Sequence, residues 1–196
     1  TCGGTSANTV NDNYVYVAAP PLTGLGAPCG PDTGGNSVVI NGTNLLNPTG
    51  VTVGGTAATV TGSTATTVTV TMPAKAAGTY DILVTTCGGT SAITASDKYC
   101  HVSAPGVSGL VTVCGTDTGG NSIVINGTDL LNPTGVTVGG TAATVTGSTA
   151  TTVTVTLPAK AAGTYDILVT TCGGTSANTA ADNYSYAVAS TITSLG

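Results

Sequence analysis

The side chains able to do chemistry in this 196-residue chain are few: six cysteines, one histidine, eight acids and three bases. All the acids are aspartates and all the bases lysines. Cys29 and Cys87 recur as Cys114 and Cys172, each 85 positions on (114 less 29, 172 less 87). Cysteines this regular, in a chain poor in other ligands, read as a disulfide framework of an oxidising compartment and not as a metal site. The expected bonds are Cys29–Cys87 and Cys114–Cys172, each tying the first-strand loop to the hairpin before the last strand. Cys2 stands one period before Cys87, and Cys100 has no counterpart, since Val15 and Ser185 occupy its place. These two orphan thiols predict an interchain disulfide, Cys2 of one copy to Cys100 of another.

His101 is the only histidine, and its equivalents at offsets of 85 are Tyr16 and Tyr186. A position that accepts Tyr is a packing position. Without a second His or any Glu no His-based triad can be assembled, and Cys100-His101 lacks the companion ligands of a zinc site. The aspartates, such as Asp32, Asp97 and Asp182, are scattered one per loop and repeat with the chain, so they read as turn formers. Oxygen ligands near the repeat boundaries leave calcium as the alternative. Lys75 and Lys160 lie in identical Pro-Ala-Lys-Ala-Ala loops, where they keep the chain soluble. Asn41, Asn126 and Asn183 head N-x-[ST] sequons and are candidate glycosylation acceptors, although Asn41-Gly42 and Asn126-Gly127 are also tight-turn dipeptides. Cys87-Gly88-Gly89-Thr90-Ser91 has neither the spacing nor the Lys of a phosphate loop. The expectation is no catalytic residue, no metal and no cofactor; the chain is not read as an enzyme.

The elements that position these residues follow from an internal repeat. Asp32–Tyr99 recurs as Asp117–Tyr184 with six differences: Val38/Ile123, Asn44/Asp129, Met72/Leu157, Ile93/Asn178, Ser96/Ala181 and Lys98/Asn183. Residues 1–8 repeat at 171–178, and 189–196 align with 19–26, so both ends fall inside repeats. The predicted organisation is a closing strand at 1–18, complete units at 19–103 and 104–188, and an opening strand at 189–196. That reads as a segment or polymerising unit of a longer array. Within a unit the hydrophobic period is two: in Thr66-Thr67-Val68-Thr69-Val70-Thr71-Met72 the apolar residues face one way and the threonines the other. Ser37–Asn41, Val51–Val53, Ala57–Thr61, Tyr80–Thr85 and Tyr99–Val102 also read as strands, separated by Gly-, Pro- and Asn-rich turns. The fold class is all-β, with six or seven strands per unit suiting a two-sheet sandwich. The predicted core comprises Val38, Ile40, Val68, Val70, Met72, Ile82, Val84 and Tyr99, with the residues 85 positions on. Three basic residues against a net charge of −5 exclude a nucleic-acid footprint, and no run of about 18 apolar residues offers a membrane span.

Gly30-Pro31-Asp32-Thr33-Gly34-Gly35-Asn36-Ser37-Val38-Val39-Ile40-Asn41-Gly42 resembles the opening signature of IPT/TIG domains. Val53-Gly54-Gly55-Thr56-Ala57-Ala58 resembles that family's strand and turn, and Ala77–Ser91 its A-G-x-V-x-V-x-V-T-T-P-G-G-T-S ending, with Cys87 in place of the usual Pro. The resemblance implies tandem immunoglobulin-like β-sandwiches. It also implies that Tyr99 and His101 face inward, leaving Cys100 outward. Tandem arrays of this type are typically extracellular stalks and adhesins. The expectation is therefore a structural segment of an extracellular, cell-surface fibre or stalk whose partner is itself, as an end-to-end or lateral homopolymer. The alternative is an adhesin module binding a surface glycan or a host-cell ligand.

Overall fold

The structure, a computed structural model, describes residue 9 and residues 14–189. Cys2 and the end segments 1–8, 10–13 and 190–196 lie outside the described residues. The first repeat carries β1 (Leu22–Leu25), β2 (Cys29–Pro31), β3 (Ser37–Gly42), β4 (Gly50–Val53), β5 (Thr56–Ser63), β6 (Thr67–Thr71), β7 (Gly78–Thr86), β8 (Gly89–Thr90), a 3-10 turn (Ala95–Asp97) and β9 (Lys98–Val102). The second carries β10 (Gly106–Leu110), β11 (Cys114–Thr116), β12 (Ser122–Thr128), β13 (Gly135–Val138), β14 (Thr141–Ser148), β15 (Thr152–Thr156), β16 (Gly163–Thr171), β17 (Gly174–Thr175), a 3-10 turn (Ala180–Asp182) and β18 (Asn183–Ala187). Threonine and valine dominate these strands because branched side chains suit a pleated, half-buried surface.

Hydrogen bonds run through the second repeat in the order β10-β12-β15-β14-β13-β16-β18-β11, and the first repeat follows the same order. Strand β14 makes the corner of the sandwich. Its first half pairs with β13 and its second half with β15, with a register shift between Val145 and Gly147. Such an irregularity lets one strand leave one sheet and enter the other. Among the described residues the parallel pairings are β2 with β9 and β11 with β18, which place Cys29 opposite Cys100 and Cys114 opposite Ser185.

The period-two pattern becomes a core. Ile123, Ile125, Val153 and Val155 form one buried cluster with Val136, Val138, Ile167, Val169, Tyr184 and Tyr186, joined by Leu130 and Leu157. Every residue of the predicted core is buried in both repeats. Each such side chain contributes roughly 1.5–3 kcal/mol on leaving water, so alternation over five or six strands suffices to set the register. The turns differ from expectation in one respect. Asn41-Gly42 and Asn126-Gly127 are not tight turns but lie within β3 and β12. The chain reverses further on, where Asn44, Asn47, Asp129 and Asn132 adopt left-handed φ values of 59°, 52°, 56° and 52°; asparagine and aspartate tolerate that region because their short side chains bond locally.

By its contacts the chain forms two compact units that do not follow the repeat boundary. One holds Ser37–Thr71 and Asp81–Asp97, and the other joins Ala27–Asn36 and Met72–Tyr80 to the chain from Lys98 onward.

Candidate functional site

The richest cluster of reactive side chains lies in the second unit. Parallel pairing of β2 and β9 sets Cys29 against Cys100, and the Cys100 amide donates to Pro28 O at 2.9 Å. The Cys29 thiol lies within interaction range of the Cys172 thiol, and Cys100 is near enough to act on it electrostatically. Burial, followed by these two neighbours, pushes the Cys29 thiol up to about 12. The Tyr99 hydroxyl, which accepts from Asn36 Nδ2 at 2.7 Å, is near the same three thiols. Burial also raises the Tyr99 phenol above its ordinary value, partly offset by that hydrogen bond. No S–S bond joins the five described cysteines. Cys100 is half-buried, and its thiol is directed at His101 O, 3.9 Å away.

This arrangement corrects the expected pairings. Cys114 is opposite Ser185, and Ser185 is opposite Thr164 at the start of β16. Cys172 follows the other end of β16, eight residues on (172 less 164). At about 3.3 Å per residue that is roughly 26 Å, far beyond the roughly 7 Å between Cα atoms that a disulfide tolerates. The register of the second repeat therefore argues against a Cys114–Cys172 bond. The short strands β2 and β11 carry the missed information. They run parallel to the last strand, so the first cysteine of each repeat sits at the end of the sandwich away from the hairpin. Of the proposed interchain pair, Cys2 lies outside the described residues.

His101 is buried, as is its second-repeat equivalent Tyr186, whereas Tyr16 is exposed. Its ring stands edge-on to Tyr99 at 5.0 Å and to Tyr80 at 5.8 Å. Nδ1 lies 3.2 Å from Pro31 O; a carbonyl only accepts, so Nδ1 carries the proton. Nε2 is buried and has no hydrogen-bond partner. In the second repeat Tyr186 fills the same place and its hydroxyl donates to Pro158 O at 2.9 Å. Burial raises the Tyr186 phenol above its ordinary value.

The remaining candidates have local roles. Asp97 and Asp182 are buried and accept from the amides of Thr94 and Thr179 at 2.8 and 3.0 Å, holding the 3-10 turns. The lysines do more than face water: Lys75 and Lys160 lie 4.5 Å over the rings of Tyr80 and Tyr165, and Lys160 also donates to Gly139 O and Thr141 Oγ1. Asn41, Asn126 and Asn183 are half-buried within or at the start of strands. In the first unit a cavity of about 510 Å³ opens between Val17, Leu46, Asn44, Asn47 and Cys87. Among the described residues no three His, Cys or Asp side chains converge in a way that could hold a metal ion.

Each sandwich also meets the segment that precedes it. Gly88, at the β7–β8 hairpin, abuts the carbonyls of Val17 and Ala18, and Gly173, at the β16–β17 hairpin, abuts those of Val102 and Ser103. A β-carbon at either glycine would overlap backbone, so only glycine permits the approach.

The IPT/TIG domain model matches residues 20–99 and 105–186, one match to each repeat. The chain belongs to the IPT/TIG domain family. Solved structures similar to it include two of the plexin A4 full extracellular region, at 15% identity with TM-score 0.60 and 16% with TM-score 0.55. These superpositions cover 96% and 95% of this chain but 17% and 20% of the plexin chains, so the IPT/TIG pair spans about a fifth of those proteins. SGBP-B of a Bacteroides ovatus mixed-linkage glucan utilization locus, in complex with mixed-linkage heptasaccharide, is similar at 20% identity and TM-score 0.38, covering 86% of this chain and 46% of that one. At such identities the likeness concerns the fold. A search of curated proteins gave no match. Among the described residues no helix is long and apolar enough to cross a membrane.

Proposed function

We propose that this chain is a non-catalytic structural unit of an extracellular, cell-surface array in which IPT/TIG sandwiches follow one another in series, like repeats being the partners. The observation that carries the reading is the duplicated contact of Gly88 on Val17–Ala18 and Gly173 on Val102–Ser103. Nearly identical repeats receive the preceding segment in the same way, which is how a serial structure adds stability unit by unit. Pro20 and Pro105, both buried in those segments, favour a fixed connection over a flexible Gly/Ser linker. With only 6% charged residues, few groups titrate, which suits a protein exposed to changing pH. The functional alternative is glycan recognition. Light scattering of the purified chain, run beside a glycan array, separates the two. Concentration-dependent self-association with no glycan signal supports the serial reading, and a monomer that binds a defined glycan overturns it.

A further inference from the structure

We propose that Cys29 and Cys172 close a disulfide that staples the β2 end of the first repeat to the β16–β17 hairpin of the second, leaving Cys87 and Cys114 as unfilled halves of the same staple. The claim concerns one chain and stands whether or not the array is a fibre. Two observations carry it. The first is the proximity of the Cys29 and Cys172 thiols, which lie within interaction range and in one compact unit. The second is a comparison the repeat supplies, because identical segments differ in burial according to what lies against them. Cys29 is half-buried while Cys114 is exposed, and Cys172 is half-buried while Cys87 is exposed. Gly30 and Gly173 are buried, whereas Gly115 and Gly88 are only half-buried. The covered members are those on either side of the Cys29–Cys172 pair, and the open ones are those whose partner would belong to an adjacent repeat. Cys100 is the competing thiol, but it is directed at His101 O and its place in the second repeat is taken by Ser185.

Closure needs an electron acceptor, for which a small-molecule disulfide such as oxidised glutathione suffices. The Cys172 thiolate attacks one glutathione sulfur and expels a glutathione thiolate. Cys29, on losing its proton to solvent, then attacks the Cys172 sulfur of the mixed disulfide and expels the second. Two cysteine thiols are oxidised, one disulfide is reduced to two thiols, and one protein S–S bond forms.

Trypsin reads the outcome directly, because Lys75, Lys98 and Lys160 are the only basic residues. Cleavage places Cys29 in 1–75, Cys87 in 76–98, Cys100 and Cys114 in 99–160, and Cys172 in 161–196. The full chain carrying Cys2→Ser is oxidised with glutathione, alkylated, denatured and digested without reductant. The expected result is a linked pair 1–75 with 161–196, with Cys87 and Cys114 recovered as glutathione adducts or alkylated. The link should persist in a Cys100→Ser background and disappear in Cys172→Ser. A link of 1–75 to 76–98, or of 1–75 to 99–160 that Cys100→Ser abolishes, overturns the proposal. So does recovery of Cys29 and Cys172 as adducts or alkylated thiols.

Discussion

Replacing His101 by tyrosine should stabilise the first sandwich, and the second sandwich supplies the control. The two sites share their surroundings: His101 stands 5.0 Å from Tyr99 at 72°, and Tyr186 stands 5.1 Å from Tyr184 at 72°. The substitution loses the Nδ1–H bond to Pro31 O, worth about 1 kcal/mol, but that carbonyl keeps its bond from the Gly34 amide at 3.0 Å. It gains a hydroxyl bond to Pro73 O like the 2.9 Å bond from Tyr186 to Pro158 O, again worth about 1 kcal/mol. These two effects nearly cancel. What remains is removal of the buried, partnerless Nε2, a group whose burial costs about 1–3 kcal/mol. The net gain is about 1–3 kcal/mol, and each kcal/mol raises the melting temperature of a domain this size by roughly 4–8 °C. Urea and thermal denaturation of His101→Tyr and of the reciprocal Tyr186→His measure it. The first should stabilise and the second destabilise by a comparable amount. A destabilised His101→Tyr beside a neutral Tyr186→His would refute the reasoning.

Four further outcomes are expected. Gly173→Ala should cost about 1–3 kcal/mol through overlap with the Ser103 carbonyl, whereas Gly147→Ala, with nothing within 4 Å of the new β-carbon, should change the urea midpoint little. Asp182→Ala removes the acceptor of the Thr179 amide and should cost about 1–2 kcal/mol, as the loss of a cap does, read by the same denaturation. Lys160→Met removes the cation over Tyr165 and should cost about 0.5–1 kcal/mol, measurable against the matched Lys75→Met. Stability should also fall at high pH. Tyr99 and Tyr186 hold their protons more tightly when folded than when unfolded. Their contribution is therefore complete below the unfolded phenol value near 10 and is lost as pH rises through the higher folded values. Thermal melts between pH 8 and 12, followed with tyrosinate absorbance, should show unfolding and ionisation together; ionisation of the buried tyrosines in a fully folded chain would contradict this.

The sandwich was legible because its signal is redundant. Val68-Thr69-Val70 and its 85-shifted copy each state the same alternation, and a slip of one residue would expose every valine. The packing role of His101 was legible for a related reason, since the repeat itself supplies Tyr186 as the natural substitution. The cysteine geometry was not. A three-residue strand such as β2 carries no periodicity, and nothing in Cys-Gly-Pro announces that it pairs parallel to the last strand. Parallel pairing moved Cys29 to the far end of the sandwich, where its neighbour is 143 residues on (172 less 29). Asn41-Gly42 misled because dipeptide statistics describe the local chain, while β3 is held between β1 and β6 and carries the strand through it.

Electron microscopy of the native surface material, labelled with an antibody raised against this chain, tests most directly whether the IPT/TIG pair works as a serial structural element. The account predicts label at regular axial intervals along fibres. Label confined to dispersed single particles, with no fibre carrying it, would contradict it.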